Sequence, residues 1–119
     1  MQYALLIYEY ETVYGDGWNA AMQDVIGRHV AFGQANGAAI RGGQGLQRTD
    51  QATTVRTSGG QHSLHDGPFA ETREQLGGFY IVEAADLDEA IAIAKQIPLA
   101  RDGAVEVRPI IPTPDGAAG

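Results

Sequence analysis

Fifteen consecutive residues restrict the backbone of this chain more than any other stretch: Asp66-Gly67-Pro68-Phe69-Ala70-Glu71-Thr72-Arg73-Glu74-Gln75-Leu76-Gly77-Gly78-Phe79-Tyr80. An aspartate accepts hydrogen bonds from backbone groups two residues on, a glycine supplies an unusual φ, and a proline fixes its own. Pro68 also suits an early helical position, so a short charged helical turn is expected over residues 70–75. Gly78-Phe79-Tyr80-Ile81-Val82-Glu83-Ala84 then reads as an apolar strand.

The rest of the chain arranges itself around that segment. Residues 2–10 carry Tyr3, Leu5 and Ile7 on one side and Ala4, Leu6, Tyr8 and Tyr10 on the other, the pattern of a strand covered on both faces. Between 18 and 36, Trp18, Met22, Val25, Ile26, His29, Val30 and Gly33 follow the helical period, and Asn36-Gly37 supplies a stop. Residues 38–47 are extended, with Gly42, Gly43 and Gly45 marking a bulge or a close backbone approach. Short strands are expected at 53–57 and 61–65, joined by Ser58-Gly59-Gly60. Asp86 and Glu89 form a capping box for a second helix that Pro98 ends, and 105–110 is the last strand. The order is strand, helix, two or three strands, strand, helix, strand. That order predicts an α+β, ferredoxin-like βαββ(β)βαβ fold, an antiparallel sheet with two helices on one face. Its other face is left uncovered although apolar, which predicts a homodimer through the open sheet face.

A chain of 119 residues fits one domain, read here as 1–111 with a frayed tail over 112–119. With no cysteine, thiolate chemistry and Cys-based metal sites are excluded. The net charge of −7 disfavours nucleic-acid binding, which depends on neutralising phosphates. No leader pattern or membrane-length apolar run is visible, so no membrane association and a cytoplasmic location are expected.

Asp66-Gly67-Pro68-Phe69-Ala70-Glu71 leading to Leu76-Gly77-Gly78-Phe79-Tyr80 resembles the YCII-related family, specifically its DGPF subgroup. Ala85-Asp86-Leu87-Asp88-Glu89-Ala90, Ile97-Pro98 and Val105-Glu106-Val107-Arg108-Pro109 are similar to the family's second helix and last strand. The resemblance, over residues 2–111, implies a dimeric α+β barrel. It also implies a cleft with a His–Asp pair, His29 standing where the family places its first-helix histidine. For the subgroup it suggests a link to alternative sigma factors, and so to transcription.

The residues themselves allow two readings at most positions. His29 is either a satisfied core histidine or a general acid–base group, since imidazole titrates near neutral pH. Asp66 is either turn chemistry or a carboxylate presented to His29, fixing its tautomer. Glu71 either complements a helix dipole or lines the cleft mouth. Arg56 and Arg108 either clamp an anionic substrate or pair with carboxylates such as Glu106. Phe69 and Tyr80, at the two ends of the motif's turn and strand, are the aromatic candidates for substrate contact. His62 and His65 fall on opposite faces of one strand, which predicts no metal site. No cofactor is expected. The leading expectation is an enzyme using His29 and Asp66 for proton transfer on a small polar metabolite. The alternative is a non-catalytic dimer that binds a ligand or a protein partner, with a transcriptional role.

Overall fold

A computed structural model describes residues 1–16 and 18–113; the end of the expected tail, 114–119, lies outside the described residues. The strands are β1 (Gln2–Glu9), β2 (Ile40–Gly45), β3 (Thr53–Ser58), β4 (Gln61–Asp66), β5 (Gln75–Glu83) and β6 (Gly103–Pro109). The helices are α1 (Ala20–Ala35) and α2 (Leu87–Ala94), with 3-10 turns at Glu11–Tyr14 and Thr49–Gln51. Four strands form one antiparallel sheet in the order β2-β5-β1-β6, while β3 and β4 form a separate two-stranded hairpin.

Alternation along β1 decides which face is core. Tyr3, Leu5 and Ile7 are buried under Phe32 of α1 and Ala90, Ile93 and Ala94 of α2, so both helices lie on that face. Leu5 and Val82 are fully buried, and each stabilises the fold by roughly 1.5–3 kcal/mol through area removed from water. Ala4, Leu6 and Tyr8 point the other way and stay half-buried, and among the described residues no helix lies over them.

Local chemistry sets the helix ends. Asn19 caps α1 by accepting from the Met22 amide at 3.0 Å. Asp86 caps α2 by accepting from the Glu89 amide at 2.9 Å, and Glu89 reaches back to the Ala85 amide at 3.4 Å.

Three expectations need correction. Among the described residues the sheet is open, with β2 and β6 as unpaired edges, so the barrel implied by the family resemblance is not formed. Four strands are too few to close, since small closed barrels use about eight, and the hairpin that would have extended the sheet pairs only with itself. Secondly, residues 70–75 form no helical turn. Side chains hold them in bends instead: Thr72 Oγ1 donates to the Glu74 carbonyl at 2.6 Å and Gln75 Nε2 to the Thr72 carbonyl at 2.7 Å. Thirdly, the apolar stripe of α1 divides. Val25 and Phe32 enter the core, whereas Trp18, just before the helix, and Ile26 and Val30 within it are exposed.

Candidate functional site

The divided stripe marks a cleft. Trp18, Ile26 and Val30 belong to the wall of a hollow of about 910 Å³ between α1, the end of β1, and the β2–β5 edge. Its floor and walls include Glu9, Tyr14, His29 and Tyr80. A second depression of about 450 Å³, lined by Arg28, Phe32, Lys95 and Pro98 among others, holds no comparable set of acid–base groups.

His29 and Tyr80 meet in the larger cleft. The Tyr80 hydroxyl lies 2.8 Å from His29 Nδ1, the two rings are stacked with centroids 5.8 Å apart, and Phe32 packs on Tyr80 at 4.9 Å. Tyr80 comes from β5, where it sits beside Leu5 and Gly43. Gly43 has φ 158°, and a Cβ there would lie 2.7 Å from the Phe79 carbonyl oxygen and 2.8 Å from Tyr80 Cδ1. Glycine is therefore what lets β2 pass next to the Tyr80 ring, the close approach expected from the glycines of this stretch.

Burial pushes the His29 pKa below the ordinary histidine value, helped by the Arg28 charge, against the upward pull of the Glu9 carboxylate and the Pro98 carbonyl. Burial also pushes the Tyr80 phenol up. A neutral imidazole thus faces a protonated phenol. With the imidazole neutral and the phenol protonated, Nδ1 accepts from Tyr80 and the ring proton resides on Nε2.

Beneath them lies a buried carboxylate. Glu9 is 7% exposed. The Tyr14 hydroxyl is 2.8 Å from each of its oxygens, and the Ala100 amide donates to Oε2 at 2.9 Å. All of these donors are neutral. Burial, reinforced by Glu9, drives the Tyr14 phenol far above the ordinary tyrosine range, so it stays a donor throughout the physiological window. Glu11, next along, accepts from the Thr49 amide at 3.0 Å and from the Thr49 hydroxyl, tying the 3-10 turn to the opposite rim.

The other candidates lie elsewhere. Asp66 ends β4, pairs with Thr53, is exposed, and is absent from the cleft lining; among the described residues no hydrogen bond joins it to His29. Its turn is held by the Gly67 amide donating to the Ala52 carbonyl at 2.7 Å and Thr54 Oγ1 donating to the Gly67 carbonyl at 2.8 Å, with Gly67 at φ 118°. Arg56 stacks over the Phe69 ring at 5.1 Å, away from the cleft. Arg108 pairs with Glu106 at 3.0 Å on an exposed stretch of β6, and Glu71 is exposed in its loop. His62 Nδ1 lies 2.8 Å from the Thr57 hydroxyl across the hairpin. No three His, Cys, Asp or Glu side chains gather as metal ligands among the described residues.

His29 and Tyr80, both candidates from the sequence, lie in the cleft lining, together with Glu9 and Tyr14, which were not among the candidates. For Glu9 a signal existed: it continues the 3, 5, 7 alternation of β1, so a charged side chain had to follow the core face. Tyr14 sits in a 3-10 turn, where no periodicity reports orientation.

The depressed His29 pKa has a stability consequence of definite sign. The unfolded chain takes up a proton near the ordinary value of 6.5, and the folded chain does so only at lower pH. Stability is therefore full above that value and falls as pH drops below it. The exposed pair of Glu83 with the N-terminal amine acts only in the more acidic range below 4.5. Urea midpoints at about pH 7.5 and about pH 5.5 should fall more for the wild type than for His29→Gln.

Known sequences can be set beside this geometry. The sequence model of the YCII-related domain matches residues 1–114. An uncharacterized protein of Rhizobium meliloti (strain 1021) is 37% identical over 119 residues, covering 92% of each chain.

Proposed function

The chain belongs to the YCII-related family, and we propose that it is an enzyme in which Tyr80 and His29 act together as a proton relay in the 910 Å³ cleft. The observation that carries this reading is the 2.8 Å contact between the Tyr80 hydroxyl and His29 Nδ1 on the wall of that cleft. In the forward step the Tyr80 oxygen takes a proton from the substrate as its own proton passes to His29 Nδ1. The resulting imidazolium is stabilised by the Glu9 charge, which raises the proton affinity of His29. Return of the proton to another substrate atom gives isomerisation or elimination without a cofactor.

The charge of the lining narrows the substrate. Glu9, Glu11, Asp16 and Asp50 line the cleft, against the single guanidinium of Arg48, which is itself paired with Asp50 at 2.9 Å. Trp18 adds an aromatic face at the mouth. Such a cleft repels carboxylates and phosphates and accepts neutral polar molecules or organic cations. This departs from an anionic substrate clamped by Arg56 or Arg108, since neither arginine lines the cleft. In this reading Asp66-Gly67-Pro68-Phe69 marks the DGPF subgroup and serves the turn at the base of the hairpin.

A thermal-shift screen of small amines, amides, alcohols and carboxylates tests the proposal, with Trp18, the sole tryptophan, as a fluorescent reporter of the cleft. Amines or neutral compounds should stabilise the wild type and be transformed by it, with transformation lost in Tyr80→Phe and His29→Ala. Preferential binding of carboxylates would overturn the charge argument. A ligand bound by all three proteins and transformed by none would identify a binding module without acid–base chemistry.

A further inference from the structure

The second depression lies on a different side of α1 from the cleft. It holds about 450 Å³ between that helix and the segment that leaves α2. Its charge is opposite to that of the cleft. The chain carries 15 acidic residues against 8 Lys and Arg. Yet Arg28 and Lys95 both line this hollow, and among the described residues no carboxylate does. Ala31, Phe32, Ile97 and Pro98 supply an apolar remainder.

Neither cation is closely paired. Lys95, the only lysine of the chain, meets no carboxylate among the described residues. The last carbonyls of α2, which a lysine there often serves, are already met by the amides of Lys95, Gln96 and Ile97. Arg28 Nη1 donates to the Leu99 carbonyl at 3.0 Å, which steadies the guanidinium at the hollow. Its carboxylate neighbour Asp24, at 3.7 Å, is an exposed i,i+4 partner, and such pairs are weak.

We propose that this depression binds a small organic carboxylate, its anionic end held by Arg28 and Lys95 and its apolar body on Phe32 and Pro98, and that occupancy is transmitted to His29. A guanidinium offers a planar fork to a carboxylate, and an ammonium adds a point charge. The apolar remainder favours a ligand with a hydrocarbon body over bare phosphate. Transmission follows from shared residues. Arg28 adjoins His29 on α1, and Phe32 packs on Tyr80 at 4.9 Å. The groups bearing on His29 are the Glu9 carboxylate from β1, the Tyr80 hydroxyl from β5, the Pro98 carbonyl and Arg28 itself. Of these, the Arg28 charge lowers its proton affinity, so an anion that offsets Arg28 raises it. The site lies outside the cleft, and neither its occupancy nor its effect on His29 requires the relay to be catalytic.

Reductive methylation with labelled formaldehyde keeps the lysine charge and tags only Lys95 and the N-terminal amine, which makes NMR the direct test. Benzoate is the probe, with benzylammonium and inorganic phosphate as controls. Benzoate should shift the Lys95 methyl signal saturably, bind about tenfold more tightly than phosphate, and have no counterpart in benzylammonium. Backbone amide shifts then compare variants. Arg28→Gln and Lys95→Gln, both at exposed positions, should each weaken benzoate binding about tenfold. Saturating benzoate should raise the His29 titration midpoint in the wild type and leave it in place in Arg28→Gln. Trp18, at the mouth of the other hollow, should keep its emission, which separates this site from carboxylate entry into the cleft. A Lys95 signal indifferent to benzoate, binding unaffected by either substitution, or phosphate bound as tightly would each overturn the site. An unmoved His29 midpoint would overturn its link to the cleft.

Discussion

Glu9→Ala is expected to destabilise the protein by about 3–5 kcal/mol, more than any surface substitution. The Tyr14 hydroxyl and the Ala100 amide both donate to this carboxylate in a buried setting. Removing the acceptor strands one buried and one part-buried donor, the buried one at about 1–3 kcal/mol, and the vacated volume adds a cavity penalty. Equilibrium urea unfolding reads the effect directly. Glu9→Gln keeps an acceptor for Tyr14 but turns an amide toward the Ala100 donor, so an intermediate loss is expected. A Glu9→Ala protein within 1 kcal/mol of the wild type would show that the buried carboxylate is not a structural anchor.

How much of this was legible depends on how each residue is held. The alternation of β1 and the capping of α2 are local, and both are visible in the sequence because side-chain spacing and backbone donors fix them. Tyr80 and His29 were both visible as candidates, but their pairing was not. It depends on where α1 crosses β5, and on Gly43 letting the β2 edge come close to the Tyr80 ring. Asp66 misled for the opposite reason. Its turn is so constrained that a carboxylate presented to a cleft looked natural, yet β3 and β4 pair with each other and carry Asp66 away on an exposed hairpin. The charged segment 70–75 shows the same competition, where side-chain bonds from Thr72 and Gln75 to the backbone displace the helical turn its carboxylates suggested. The split of the α1 stripe into core and cleft walls was equally invisible, because one period serves both.

Tyr80→Phe and His29→Ala are each expected to lower turnover by about 10²–10⁴-fold, the range of a positioned acid–base group. The two losses should not add, because the proton passes through both residues in one step; the double variant should match the weaker single variant within about tenfold. Ligand affinity should change far less than turnover. Additive losses would mean that the two side chains act separately, on different protons or in different steps.

The contact between these side chains is the centre of the account, and ring-specific NMR of His29 across neutral pH examines it most directly. The predicted spectrum shows the Nε2–H tautomer, with a titration midpoint below the ordinary histidine value of 6.5 and a Nδ1 signal that moves when Tyr80 becomes phenylalanine. A midpoint at or above that value, with a ring indifferent to Tyr80→Phe, would contradict it.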